Sequence, residues 1–247
     1  MKSVFRLIVL FLLGIGCKNG DNLTFEPLRL DGEACGDCPA VSIQIPHALG
    51  GTQLSTTINT AIKEEIIAIL NYDEEVDAGT IPEAMASFKK GYLELKKLYS
   101  DETIGWEATV AGEILYEDAQ LLTIALDSYI FTGGAHGYSA KRLLNFDKKK
   151  SKELENEELF KKTEDFQLFA EIKFREQENI PREKPINHTG YMFEKDSFSL
   201  PENLGFTKEG IHLHYNPYEV ASYADGPITL TLSYGEVREY LAKRPKY

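Results

Sequence analysis

Apolar residues along this chain recur in two rhythms, and the change from one to the other lays out the elements. Ile58, Ile62, Ile66 and Ile69 follow at steps of four, four and three, the spacing of one face of an α-helix. Gly50-Gly51-Thr52 leads into that helix, and a strand, Val41-Ser42-Ile43-Gln44-Ile45, precedes it. A second helix opens at Thr80 with Pro82 in its first turn, and Met85, Phe88, Tyr92, Leu95 and Tyr99 make its apolar row. The period then drops to two. Trp106, Ala108, Val110, Ile114 and Tyr116 alternate with other residues, and after Glu117-Asp118 so do Leu122, Ile124, Leu126 and Ile130. This predicts an antiparallel hairpin, half-buried against the helices. A third strand, Tyr138 to Phe146, returns after Thr132-Gly133-Gly134-Ala135-His136-Gly137, and Asp147-Lys148-Lys149-Lys150 closes the first half.

The second half opens with acidic residues and a Leu159-Phe160 turn. A helix follows from about Thr163 to Glu178, with Leu168, Phe169 and Ile172 as its apolar positions. Short strands are predicted at Leu204 to Thr207, Ile211 to Tyr215 and around Ile228, Leu230 and Leu232, with a closing helix at Gly235 to Leu241. Helices and strands are segregated rather than strictly alternating. The fold class is therefore α+β, with antiparallel sheets, helices packed on one face, and two related α+β halves at residues 40–150 and 151–247.

Composition changes the picture mainly at the N-terminus. Lys2 and Arg6 followed by Leu7 to Leu13 form the basic and apolar regions of an export signal, too short for a membrane span. Gly14 and Gly16 before Cys17 resemble a bacterial lipobox, so residues 1–16 read as a signal peptide and Cys17 as the lipidated N-terminus; the alternative is a plain secreted protein with Cys17 within or beside the cleaved segment. Residues 17–39 then form a tether without periodicity, with order beginning near Cys35. Cleavage removes two cations and takes the formal charge from −12 to −14. Such an acidic balance argues against nucleic-acid binding, which requires clustered Lys and Arg, and any charge-steered partner is cationic. Membrane contact is expected only through the lipid anchor.

Cys35 and Cys38 remain as a pair in an oxidising compartment, which favours a structural disulfide. A thioredoxin-type redox pair would want a helix after the first cysteine, whereas Pro39 and a strand follow. A zinc site would want further ligands, and only His47 is near in sequence. No cofactor is implied.

Two loops carry the candidate chemistry. Residues 132–137 hold the densest glycine cluster. Flanking strands exclude a phosphate-binding loop, which needs a helix after it, and leave His136 as either a backbone-satisfying residue or a ligand contact. Tyr215-Asn216-Pro217-Tyr218-Glu219-Val220-Ala221-Ser222-Tyr223-Ala224-Asp225-Gly226-Pro227 crowds tyrosines and acids between two strands. Tyr215, Tyr218, Glu219, Tyr223 and Asp225 are its candidate ligand contacts, suited to a cationic protein or a sugar; core packing is the alternative. His212 and His214 share one strand face but have no third ligand at a complementary spacing, His188 being the one that the fold could bring near, so they read as structural or surface histidines. No catalytic set is complete.

Together, Phe131 to Gly137, Asn145-Phe146-Asp147, Leu159-Phe160 before a helix and Tyr215 to Pro227 resemble a known domain pair. It is the extracytoplasmic region shared by RsiV-type anti-sigma factors, which sense lysozyme, and the non-catalytic N-terminal part of PdaC-type peptidoglycan deacetylases. The same pair occurs in stand-alone lipoproteins. The resemblance spans about residues 40–240 and includes neither a sigma-binding segment nor a deacetylase domain. It implies a non-enzymatic envelope lipoprotein that binds a lysozyme-like cationic protein or peptidoglycan. The competing expectations are an accessory enzyme or carbohydrate-binding protein of peptidoglycan modification, acting through His136, and a purely structural protein. Burial of Tyr218 and Tyr223 would favour the last.

Overall fold

Thr52 and Thr80 start the two long helices. Thr52 accepts the Ser55 N–H at 3.1 Å and begins α1 (Gln53–Leu70). Thr80 accepts the Glu83 N–H at 3.3 Å while the Glu83 carboxylate accepts the Thr80 N–H at 3.0 Å. This capping box, with Pro82 in the first turn, begins α2 (Ile81–Leu98). The computed structural model describes residues 23–246 except 34, 73–76 and 100–103. The signal segment and Cys17 lie outside the described residues.

Both helices cover one face of a six-stranded sheet that runs in sequence order. Its strands are β1 (Phe25–Asp31), β2 (Ala40–Ala48), β3 (Glu107–Glu117), β4 (Leu121–Phe131), β5 (Tyr138–Asp147) and β6 (Lys152–Leu154). Neighbours are antiparallel except β2 and β3. Those two are parallel because α1 and α2 carry the chain back to the starting end of the sheet. Ile58, Ile62, Ile66 and Leu70 of α1 and Phe88 and Tyr92 of α2 are buried against Ile43, Val110, Ile124 and Phe146. Leu70 takes the place expected of Ile69, which is only partly covered, and Tyr99 is 54% exposed. Trp106 is buried among Tyr72, Phe88 and Tyr92, its ring centroid 4.9–5.9 Å from theirs.

Two expectations for this half need correction. Order begins before Cys35: Phe25–Asp31, inside the stretch read as tether, pairs with β2 over its whole length. As an edge strand it is only half covered, and it tolerates Pro27, so its Leu28 and Leu30 alternation is a weak signal. Nor is the hairpin simply half-buried, since Leu121 to Leu126 of β4 are all buried. The register shift in β3 between Ile114 and Tyr116 leaves Leu115 as an extra residue, and Tyr116 turns to the face opposite Val110.

That opposite face receives the second half of the chain. Here α3 (Thr163–Gln177) and α4 (Tyr234–Val237) accompany a three-stranded antiparallel sheet of β7 (Asn203–Phe206), β8 (Gly210–Tyr215) and β9 (Ile228–Ser233). The buried face of α3 is Phe166, Ala170 and Phe174, at steps of four. The expected row is wrong by part of a turn: Leu168 is 63% exposed and Ile172 41%, while Phe169 packs at the edge. Phe174 is the centre of this core, with the rings of Tyr191, Phe193, Phe198 and Tyr215 at 5.1–5.9 Å.

A buried polar network joins the halves. Thr123 Oγ1 donates to Asn145 Oδ1 at 2.8 Å and accepts the Phe206 N–H at 3.2 Å, and Asn145 Nδ2 donates to Leu204 O at 2.7 Å. Gly205 permits this approach, because a Cβ there would lie 3.0 Å from Thr123 Cγ2 and 3.1 Å from Leu143 Cδ1. Beyond the network, Lys243 Nζ meets Asp147 at 2.6 Å and Phe160 forms a bridge with Leu241. The fold is α+β.

Candidate functional site

The β4–β5 loop and the β8–β9 loop, 79 or more residues apart in sequence, meet at the surface. Gly133 and Gly134 adopt φ of 103° and 92°, conformations open to glycine, and the loop they form brings His136 onto the other loop. His136 stacks on Tyr223 with centroids 3.8 Å apart and planes 12° from parallel. Tyr223 in turn stacks on Tyr218 at 5.5 Å. The three rings form a continuous aromatic ridge.

Hydrogen bonds fix the ridge from below. The Gly137 carbonyl accepts from Tyr223 Oη at 3.0 Å and from His136 Nδ1 at 2.9 Å. A carbonyl can only accept, so Nδ1 carries the proton. Tyr138 Oη donates to Pro217 O at 3.3 Å. Burial, with Glu219 and Glu202 adding to it, raises the Tyr138 phenol above its ordinary value, so this donor stays protonated. Ser222 and Asp225 cap the short turn carrying Tyr223: the Asp225 carboxylate accepts both the Ser222 N–H and its hydroxyl. Tyr218 itself has φ of +71° and is 57% exposed. A bulky side chain in left-handed backbone is strained, and here the strain presents a ring to solvent.

The six candidate contacts thus divide. His136, Tyr218 and Tyr223 come together in the ridge. Tyr215 does not join them: it is fully buried in the second core, donating to Ser199 O at 2.7 Å, and is a packing residue. It was expected as a contact because it adjoins the loop, but its β8 register turns it inward. Glu219 is half-buried and accepts the N–H groups of Asn216 and Glu202 at 2.8 and 3.2 Å. Burial raises its carboxyl above the ordinary range despite those bonds. Asp225 is exposed but occupied by its cap.

Asn216 is the residue whose role the motif concealed. Its Oδ1 accepts the Lys141 N–H at 2.7 Å and its Nδ2 donates to Lys141 O at 3.0 Å, extending the ladder of β5 by one side chain. Asn203 Oδ1 does the same for the Leu143 N–H at 3.2 Å. Asn directly after a strand is a common turn signal, and nothing local points to a strand 75 residues away.

Cys35 and Cys38 form a disulfide with Cα atoms 5.3 Å apart. It lies in the β1–β2 connection, which Lys89–Glu33 at 2.5 Å and Lys96–Asp37 tie to α2. Among the described residues no cluster of three His, Cys, Asp or Glu could hold a metal ion, and no helix is long and apolar enough to cross a membrane.

Comparison with known proteins follows this division of the chain. Residues 34–139 match the family described as Deacetylase PdaC, and residues 143–235 match Protein of unknown function (DUF3298). The chain joins a PdaC-like domain to a DUF3298 domain. The two matches meet inside β5, the strand from which Lys141 reaches Asn216, so the ridge is built by loops of both domains. A curated relative, the peptidoglycan-N-acetylmuramic acid deacetylase PdaC of Bacillus subtilis (strain 168), is 23% identical over 142 residues, 56% of this chain. The match spans 30% of that enzyme's length. A crystal structure of a DUF3298 member from Bacteroides fragilis NCTC 9343 superposes with a TM-score of 0.69 at 21% identity, covering 91% of this chain and 95% of that one. One from Pseudomonas aeruginosa PAO1 gives 0.67 at 19%, covering 91% and 96%. These two structures share the fold of this chain over 91% of its length.

Proposed function

We propose that this PdaC-like, DUF3298-containing protein is a non-catalytic binding module of the cell envelope, anchored through a lipidated Cys17. Its Tyr218–Tyr223–His136 ridge engages a cationic protein of the lysozyme type. The observation that carries this reading is Tyr218: an exposed ring held at φ +71°, stacked on a second tyrosine and a histidine at the junction of two domains. Rigid aromatic anchors surrounded by polar groups are the usual centres of protein interfaces. The formal charge of −12 supports an oppositely charged partner, which it attracts over distance and selects against acidic competitors.

An accessory enzyme acting through His136 has less support. The imidazole Nδ1 is spent on a carbonyl, its ring faces Tyr223, and Asp225 is spent on Ser222. General acid–base work needs a carboxylate or nucleophile within reach of the imidazole.

Calorimetric titration with hen lysozyme at low salt tests the proposal. Binding is expected, weakening steeply as salt rises and by at least tenfold in Tyr218→Ala. An absence of binding at low salt, or full binding by Tyr218→Ala, overturns the ridge as a lysozyme contact.

A further inference from the structure

The second half of the chain covers only part of the sheet face it packs on. Beyond the buried Thr123 and Leu143, the outer ends of β3, β4 and β5 stay open in two cross-strand rows. The register places Thr109 opposite Tyr129 and Tyr129 opposite Ser139; the next row is Ala111, Asp127 and Lys141. His214, Asn216, Pro217 and Pro227 rise beside this floor as a wall. The step borders an open groove of about 430 Å3, within the ~300–1,000 Å3 of small-ligand sites.

His214 is the unusual member. Its residue is only 6% exposed, yet Nδ1 has no hydrogen-bond partner. The neighbouring His212 shows the satisfied case, with Nδ1 2.9 Å from Thr231 Oγ1. A buried polar atom left unpaired costs about 1–3 kcal/mol, and His214 is part of the groove's lining. Burial, then the nearby His212 and Lys141, push the ring down to about 4 against Asp127 and a side-chain hydrogen bond with Asn216, so it is a neutral imidazole at ordinary pH whose Nδ1 alone lacks a partner. A neutral ring offers either a proton or a lone pair at a given nitrogen. A hydroxyl group satisfies both cases.

The remaining lining narrows the ligand further. Asp127 and Lys141 are ion-paired at 2.7 Å, so the groove has no net charge although the chain is strongly acidic. Lys141 is therefore not free to hold a phosphate or sulfate, and Asp127 repels one. Thr109 and Ser139 add hydroxyls. Tyr129 lies flat over Gly137, where a Cβ would come within 2.4 Å of its ring, and Pro217 and Pro227 add apolar surface. Flat apolar surfaces alternating with hydroxyls, without charge, fit the apolar faces and equatorial hydroxyls of sugar rings.

We propose that this groove binds a short, uncharged saccharide, with a ligand hydroxyl pairing His214 and a sugar face resting on Tyr129. The groove includes none of the three ridge rings, although Asn216, Pro217 and Pro227 of its wall belong to the loop that carries Tyr218 and Tyr223.

Chitotriose and cellotriose serve as neutral probes, oligogalacturonate as an anionic control, followed by calorimetry and by NMR of the His214 imidazole. At least one neutral trimer is expected to bind and shift the His214 signals, with the anionic one failing. Ala111→Trp fills the floor from an exposed strand position without touching either core, and is expected to weaken binding at least tenfold while thermal stability is unchanged. His214→Ala is expected to weaken it in the same direction. Silence from both neutral trimers, preference for the anionic one, or undiminished binding by Ala111→Trp overturns the proposal.

Discussion

Asn216 pairs with Lys141 as a strand would, its one amide group giving and taking a hydrogen bond at 3.0 and 2.7 Å. The free edge of β5 is thereby closed by a side chain of the other domain, and the loop that carries the aromatic ridge is pinned at its first residue. Removing the amide in Asn216→Ala leaves two backbone groups of β5 to compete for water in a partly covered place. The expected loss is about 1–3 kcal/mol in urea unfolding, with faster amide hydrogen exchange at Lys141. Unchanged exchange at Lys141 would count against the pairing.

Thr123 and Gly205 make a second, coupled contact between the domains. Gly205→Ala pushes a methyl group to 3.0 Å from Thr123 Cγ2, and overpacking of this kind costs about 1–3 kcal/mol. Thr123→Ser removes that methyl but keeps the hydroxyl that bonds Asn145 and Phe206. The double variant is expected to be more stable than Gly205→Ala alone, although Leu143 keeps part of the clash. Additive losses in the double-mutant cycle would refute this geometry.

Tyr218 separates binding from stability. Glycine is at ease at φ +71°, so Tyr218→Gly is expected to gain about 0.5–1 kcal/mol by relieving the backbone and yet to lose the lysozyme contact. A residue that only packs would do the reverse, losing stability on truncation. Denaturation and calorimetry on the same sample decide between them.

Stability should fall as the protein is acidified, beginning with His214. Its folded value near 4 lies below the ordinary 6.5, so between those values the unfolded chain holds a proton that the folded one does not. The contribution is complete above pH 6.5 and lost as pH falls through about 4; 2.5 pH units correspond to at most ~3 kcal/mol. The charged and titratable groups around the ring are His212, Lys141 and Asp127. Asp147 acts in the same direction at lower pH: burial disfavours its charge, but Lys243 and the N–H groups of Lys149 and Lys150 outweigh that and hold it below the usual range. Glu219 and Glu153, raised by burial, oppose the trend in the carboxylate range. Unfolding at pH 5 to 7 reads the histidines, His212 included because burial lowers it too, and His214→Gln should flatten that part of the curve in part. A slope unchanged by the substitution would remove His214 as its cause.

What the chain order decided by itself is the local layer. Steps of four in α1, the Thr80 and Pro82 start of α2 and the alternation of β3 and β4 are short-range patterns, enforced by helix and strand geometry wherever those residues sit. The glycines of residues 132–137 and the loop after Tyr215 were legible for the same reason, since their residue types demand turns. Tertiary structure decided which face each pattern shows. One extra residue at Leu115 turns Tyr116 from the helix side to the other domain, and Phe166, Ala170 and Phe174 prevail over Leu168 and Ile172 because the available space fits aromatic rings around Phe174. It also decided that Phe25–Asp31 is a strand, because pairing with β2 supplies the backbone partners that its half-covered side chains do not signal. Most of all, the sites exist only after folding: His136 meets Tyr223, Asn216 meets Lys141 and His214 comes to lie beside Lys141 and Asp127 across distances in sequence over which no periodicity extends.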